Sequence, residues 1–188
     1  MYDMPAIIFA GGKSSRMGED KALLPFGGYA TLSEFQYNKL SLLFSSVYIS
    51  TKYPKFNFDS PLIQDIYEES SPLVGLLSIF EVLKCKAIFI LSVDAPLVDK
   101  KVIDTLFEAY ESHDNADIVI AKSPNGLQPL CGIYTQTILP LAKKHFEQKN
   151  HKLTSLLKNL NTITVSFEED TPFTNLNTPE EYKALFFC

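Results

Sequence analysis

Two strings in this 188-residue chain combine residue types that suit phosphate chemistry. The first reads Phe9-Ala10-Gly11-Gly12-Lys13-Ser14-Ser15-Arg16-Met17-Gly18-Glu19-Asp20-Lys21, with three glycines, two serines and three cations. Glycines let a backbone approach a ligand closely, and successive N–H groups make an anion-binding nest. Arg16 can fork onto phosphate oxygens, and Lys21 can act as a point charge. The spacing excludes two familiar motifs. A P-loop needs glycine at position 7, which is Ile7, and no Gly-x-Gly-x-x-Gly fingerprint is present. The second string is Ile88-Phe89-Ile90-Leu91-Ser92-Val93-Asp94-Ala95-Pro96. An aspartate at a strand tip can hold Mg2+ on substrate phosphates, because that ion takes few carboxylates alongside phosphate and water. Asp-x-Pro also suits a turn or a helix cap, so Asp94 alone leaves both roles open.

Such residues must be held by regular elements. Apolar runs of strand length lie at Ala6–Ala10, Val47–Thr51, Ala87–Val93, Asp117–Ala121, Leu130–Tyr134 and Thr162–Phe167, with a short one at Pro61–Asp65. Amphipathic stretches between them predict helices over Leu32–Phe44, Leu73–Lys84, Lys100–Ser112, Thr135–Gln148 and Pro179–Phe187. Thr31-x-x-Glu34 and Thr178-x-x-Glu181 read as capping boxes, the second with Pro179 at the first helical position. Nearly all-apolar runs such as Ile88–Leu91 suit strands covered on both faces. Their alternation with helices predicts an α/β fold: one domain over residues 1–188, a three-layer α/β/α sandwich with a mostly parallel, Rossmann-like central sheet. Ligands in such sheets bind beyond the carboxyl ends of the strands, where the loops after Ala10 and Val93 lie.

Composition removes other classes. The net charge of −5 argues against a general nucleic-acid or acidic-membrane binder, so any anion site must be local. No apolar run approaches the roughly 20 residues of a membrane span. Cys85, Cys131 and Cys188 form no CxxC pair, which predicts reduced thiols and a cytoplasmic setting. His113, His145 and His151 fall in polar stretches of helices or loops. Fourteen Phe and nine Tyr read as core.

The two strings together, after an apolar strand, resemble the signature of nucleotidyltransferases with a glycosyltransferase-A-like fold. Within them the chain is most similar to the molybdenum cofactor guanylyltransferases, which join GMP to molybdopterin. Ser71-Pro72-Leu73-Val74-Gly75 and Asn175-Leu176-Asn177-Thr178-Pro179-Glu180-Glu181 add to the match, which spans nearly the whole chain. The resemblance implies Mg2+-dependent GMP transfer from GTP, with pyrophosphate as the other product. It places Phe9, Ala10, Gly11 and Gly12 against guanine and ribose, with Phe9 standing where leucine is more usual. It gives Lys21 the GTP phosphates, Asp94 the Mg2+, and Asp65 a nucleotide contact. Arg16, Lys21 and Asp94 form the implied catalytic set. Relatives carry asparagine where this chain has Ser50, which bears on the contact to the base.

The same resemblance assigns GTP and Mg2+ to the N-terminal half and molybdopterin to the C-terminal half. Gln128 stands where family members often have His-Pro, and Asn175 and Asn177 have amides suited to a pterin edge. Asparagine is equally at home in a turn before a helix. Lys122, His151 and Lys152 are further cations for the acceptor's terminal phosphate, or a solvated basic face. The implied enzyme is a monomer, with molybdoenzymes or cofactor-delivery proteins as transient docking partners. Three readings stay open: a cytidylyltransferase on the same cofactor, a sugar-phosphate nucleotidyltransferase, and a non-catalytic nucleotide-binding regulator.

Overall fold

The computed structural model describes residues 1–11, 20–178 and 180–182. Its strands are β1 (Ala6–Phe9), β2 (Val47–Thr51), β3 (Leu62–Gln64), β4 (Ala87–Ser92), β5 (Ile118–Ser123), β6 (Gly126–Thr135) and β7 (Thr162–Ser166). They form one sheet in the order β3-β2-β1-β4-β6-β5-β7. Only β6 runs against its neighbours, antiparallel to both β4 and β5. The helices are α1 (Leu32–Ser41), α2 (Pro72–Leu83), α3 (Lys100–Glu111), α4 (Leu139–Glu147) and α5 (Leu153–Leu157).

Strand alternation divides the core into two layers. Ala6, Ile8, Phe89 and Leu91 pack with Leu32 and Leu40 of α1 and Val102 and Leu106 of α3. Ile7, Phe9, Ile88 and Ile90 turn the other way, onto Leu73 and Leu76 of α2, Ala142 of α4 and Leu156 of α5. With both faces covered, β1 and β4 have no solvated side, which is why their sequences are almost uniformly apolar. The expected three-layer, mostly parallel α/β sandwich is what forms. Because α1 covers one face and α2 the other, strand order reverses between β1 and β4. Their carboxyl ends mark a topological switch point, where a crevice opens naturally.

The second half departs from expectation in three places. A helix beginning at Thr135 would put Pro140 inside it, where proline removes a hydrogen bond and its ring clashes with the preceding turn. Instead β6 continues to Thr135, residues 136–138 make a 3-10 turn, and α4 starts at Leu139 with Pro140 in its first turn. The strand expected at Leu130–Tyr134 begins earlier, at Gly126, directly after a hairpin turn at Pro124-Asn125. Here the pairing on β6 jumps from Gly132 opposite Ile120 to Gln128 opposite Ala121, so the segment with Pro129 sits in a bulge that tolerates a missing N–H. Third, α5 was not expected: five residues, Leu153–Leu157, are too few to show a helical period. His145, expected in a polar stretch, is buried.

One capping box forms in full and the other in half. The Thr31 hydroxyl accepts from the Glu34 N–H (3.0 Å), although the Glu34 carboxylate reaches Ala30 rather than Thr31. Thr178 and Glu181 bond reciprocally, at 2.8 and 3.2 Å. Residues 180–182 are helical; the remainder of the last expected helix lies outside the described residues.

Candidate active site

The crevice at the switch point holds two cavities with a common wall. Phe9 and Ser92 are paired across β1 and β4, and the Val93 N–H donates to the Phe9 carbonyl at 3.0 Å, so the two sequence strings leave the sheet side by side. On the β2 side lies a cavity of about 360 Å³, lined by Phe9, Gly11, Ser50, Asp65, Ser71 and Gly75 among others. On the β6 side lies one of about 470 Å³, lined by Asp94, Gln128, His151, Lys152, Phe173 and Asn175 among others. Pro72, Ser92 and Leu130 border both.

Asp94, in the wall of the larger cavity, pairs with Lys21. Lys21 belongs to a 3-10 turn, Lys21–Leu23, capped by the Asp20 carboxylate on the Ala22 N–H at 3.1 Å. Its ammonium Nζ lies 3.3 Å from Asp94 Oδ2 and donates to Asn177 Oδ1 at 2.8 Å. The other oxygen, Asp94 Oδ1, accepts from the Ser92 hydroxyl at 2.5 Å. The Asp94 carbonyl accepts from the Leu176 N–H at 2.9 Å, which ties the loop bearing Asn175 and Asn177 to the Asp94 turn. Side chains 73 and 156 positions further along the chain thus converge on the Lys21 ammonium group.

The smaller cavity has a floor shaped by one pair. A Cβ on Gly75 would stand 2.7 Å from the Phe9 ring, so glycine in the first turns of α2 is what admits the aromatic side chain. Ala10 is buried, donates its N–H to the Ser50 carbonyl (2.9 Å), and accepts from Lys55 Nζ at 2.9 Å. Lys55 also pairs with Asp20 at 2.5 Å, so one ammonium group bridges residues on either side of the glycine-rich loop. Burial pushes the Asp65 carboxyl above its ordinary range, with Lys52 pulling it part of the way back. The N-terminus of α2 opens between the cavities, with Ser71 accepting from the Val74 N–H (3.2 Å) and in hydrogen-bond contact with His151 Nδ1 (3.1 Å). Such a helix end favours negative charge.

The larger cavity owes its far wall to the reversed strand. Because Leu91 of β4 faces Cys131, the preceding residues of β6 extend past the end of β4 and carry Gln128 beside Asp94. Gln128 Nε2 donates to the Ser123 hydroxyl at 3.2 Å. Cys131 also lines this space, but burial pushes its thiol up to about 12, so it is not a nucleophile.

The MobA-like NTP transferase domain pattern matches residues 6–163, the stretch from β1 into β7 that supplies the lining of the smaller cavity and most of that of the larger. The chain belongs to that family. It is 38% identical to a molybdenum cofactor guanylyltransferase of Campylobacter jejuni subsp. doylei over 185 residues, covering 97% of this chain and 95% of the relative. It is 33% identical to a protein of the same name from Helicobacter pylori, covering 96% and 90%. The structure of a molybdopterin-guanine dinucleotide biosynthesis protein A from Archaeoglobus fulgidus superposes with a TM-score of 0.84 at 20% identity, over 98% of this chain and 97% of that one. The chain is a nucleotidyltransferase by family, and its fold is that of the family.

Among the residues expected to act, the structure brings Lys21, Asp94 and Asn177 into direct contact. Phe9, Gly11 and Asp65 line the smaller cavity, Gln128 and Asn175 the larger. Gly12 and Arg16 lie outside the described residues. Ser92 and Lys55 were not singled out as site residues; His151 and Lys152, read either as cations for the acceptor's phosphate or as a solvated basic face, line the larger cavity. Ser92 stood in the quoted string two places before Asp94, which was signal enough. Lys55 sits in a loop with no pattern of its own.

The donor set at Asp94 limits what metal could sit there. Among the described residues no cluster of three or more His, Cys, Asp or Glu is placed to hold an ion. One carboxylate with a hydroxyl beside it is no protein-built cage. It does fit Mg2+ carried largely by phosphate oxygens and water.

Proposed function

We propose that this chain transfers GMP from GTP to the terminal phosphate of molybdopterin, releasing pyrophosphate. The observation that carries the reading is the Lys21–Asp94 pair, tied through Asp94 to Ser92, which borders both cavities, in a chain of this family. GTP takes the smaller cavity, its guanosine against Phe9, Ala10, Gly11 and Asp65 and its phosphates toward Lys21, Gly12, Arg16 and the α2 N-terminus. Molybdopterin takes the larger cavity, near Gln128 and Asn175, with Asn177 holding Lys21 in place. This division gives the N-terminal half the nucleotide and most of the C-terminal half the acceptor.

The acceptor phosphate is already anionic, so no side chain need remove a proton. That suits a site whose buried thiol is un-ionised and whose lining histidine, His151, is engaged with the Ser71 hydroxyl. An acceptor oxygen attacks the α-phosphorus in line; the bond to the β-phosphate breaks, and pyrophosphate leaves with the electron pair. What this chain supplies is alignment of two anions and neutralisation of their mutual repulsion. Lys21 meets the charge that grows on the leaving group. Ser92 holds the Asp94 carboxylate in one orientation. Asp94 would hold Mg2+, whose charge would help neutralise the phosphates. The product then passes to molybdoenzymes or to proteins that deliver the cofactor.

The test is a nucleotide screen with molybdopterin as acceptor and Mg2+ present, read as pyrophosphate release. GTP should be used in strong preference. Preference for CTP would make the chain a cytidylyltransferase of the same fold, and no release with any nucleotide would leave a binding protein.

A further inference from the structure

Helix α1 contributes no side chain to either cavity, yet its buried face is unexpectedly polar. Ser33 and Gln36 are fully buried and Lys39 is partly so; residues three apart are neighbours on a helix surface, so the three form a slanted stripe. Every hydrogen bond the stripe donates goes to a backbone carbonyl in one of two loops. The Ser33 hydroxyl donates to Ala22 at 2.8 Å, inside the 3-10 turn that carries Lys21. Gln36 Nε2 faces the carbonyls of Ser92, Val93 and Ala95 at 3.3, 3.4 and 3.0 Å, encircling the turn that carries Asp94. Lys39 Nζ donates to Pro96 and Val98, both at 2.9 Å, in the continuation of that turn.

An apolar helix face would pack against the sheet without the cost of burying an amide and an ammonium group. That cost is visible: Gln36 Oε1 is buried without a hydrogen-bond partner among the described residues, and burial lowers the Lys39 ammonium to about 8. The polar groups are therefore poor core material but well placed as anchors. Ser33 is bonded to the Lys21 turn and Gln36 to the Asp94 turn, one helical turn apart on a single rigid element. We infer that the Ser33–Gln36–Lys39 stripe of α1 is a positioning device that sets the spacing between the phosphate cation Lys21 and the metal carboxylate Asp94. None of the three touches substrate; each acts through a backbone carbonyl.

The inference rests on the proposed GTP and Mg2+ roles of Lys21 and Asp94, and calorimetric GTP binding with and without Mg2+ separates the two. Wild type should bind GTP more tightly when Mg2+ is present. Gln36→Met, of similar volume, should raise the Mg2+ concentration needed for that enhancement about tenfold while metal-free GTP affinity stays within twofold. In an Asp94→Asn background, adding Gln36→Met should change neither quantity. If Gln36→Met does not fold, Ser33→Ala carries the test, since it deletes one hydroxyl. It should weaken metal-free GTP binding about fivefold, and no further when Lys21 is already Ala. A folded Gln36→Met with wild-type Mg2+ dependence overturns the inference alone, as does a Ser33→Ala loss that persists undiminished in Lys21→Ala. Absence of any Mg2+ enhancement in wild type overturns the functional reading, and the inference with it.

Discussion

The two cavities are built by different means. The smaller is made of strand ends: β1, β2 and β3 run parallel and finish together, and the residues just beyond them face a common space. The larger is assembled from the early half of an antiparallel strand, the approach to a five-residue helix, and a loop near residue 175. Parallel strand ends form a rigid rim whose residues are close in sequence to the strand that places them. The other wall depends on segments that meet only after the sheet has closed. In the proposed arrangement the nucleotide would be read on the stiffer side, and the second substrate on the side with less regular support.

Breaking the boundary between the cavities should cost most. Asp94→Asn keeps the size of the side chain and one acceptor oxygen but loses its charge. It should reduce kcat roughly a thousandfold, about 4 kcal/mol, while GTP binding without metal changes little. If Asp94 were only a turn residue, asparagine would serve nearly as well. Lys21→Ala should cost about 3 kcal/mol, roughly a hundredfold in kcat/KM, with an unchanged melting temperature. Retention of more than half the wild-type kcat/KM would remove Lys21 from the phosphate site.

Substitutions on either side should separate the substrates. Asp65→Ala, on the rim of the smaller cavity, should raise KM for GTP about tenfold and leave KM for molybdopterin alone, as expected for one charge-assisted contact. Its carboxyl is pushed up by burial, so the ionised, accepting form should be lost as pH falls through a value above the ordinary carboxylate pKa. An acid limb in GTP affinity should appear in wild type and be absent in Asp65→Asn. Gln128→Ala, on the other wall, should give a smaller and opposite pattern: KM for molybdopterin raised about threefold, GTP binding untouched. Equal effects of Gln128→Ala on both substrates would mean that the cavities are not separate sites.

The same contrast explains how much was legible in the chain. The glycine-rich string and the Asp94 string each follow a buried strand, and a strand end delivers its loop to the switch point without long-range information. Their place in the fold could be read directly. Gln128 could be named, but not why it shares a cavity with Asp94. That depends on the reversal of β6 and on a bulge around Pro129, a residue that in sequence looks like the end of a loop. Ser33 and Gln36 were invisible for a related reason. Their partners are backbone carbonyls, which no side-chain pattern encodes, and two buried polar residues simply make α1 look less amphipathic than it is. Lys55 was missed because its bonds to Ala10 and Asp20 cross 45 and 35 positions of chain.

The most direct check on this two-cavity arrangement is a crystal structure with Mg2+ and a GTP analogue whose α–β bridge resists cleavage. The guanine should lie in the space bordered by Phe9, Gly75 and Asp65, with the triphosphate reaching Lys21 and Asp94 and the cavity beside Gln128 left open for the acceptor. A nucleotide seated instead beside Gln128 and Asn175, or bound away from Lys21 and Asp94, would contradict it.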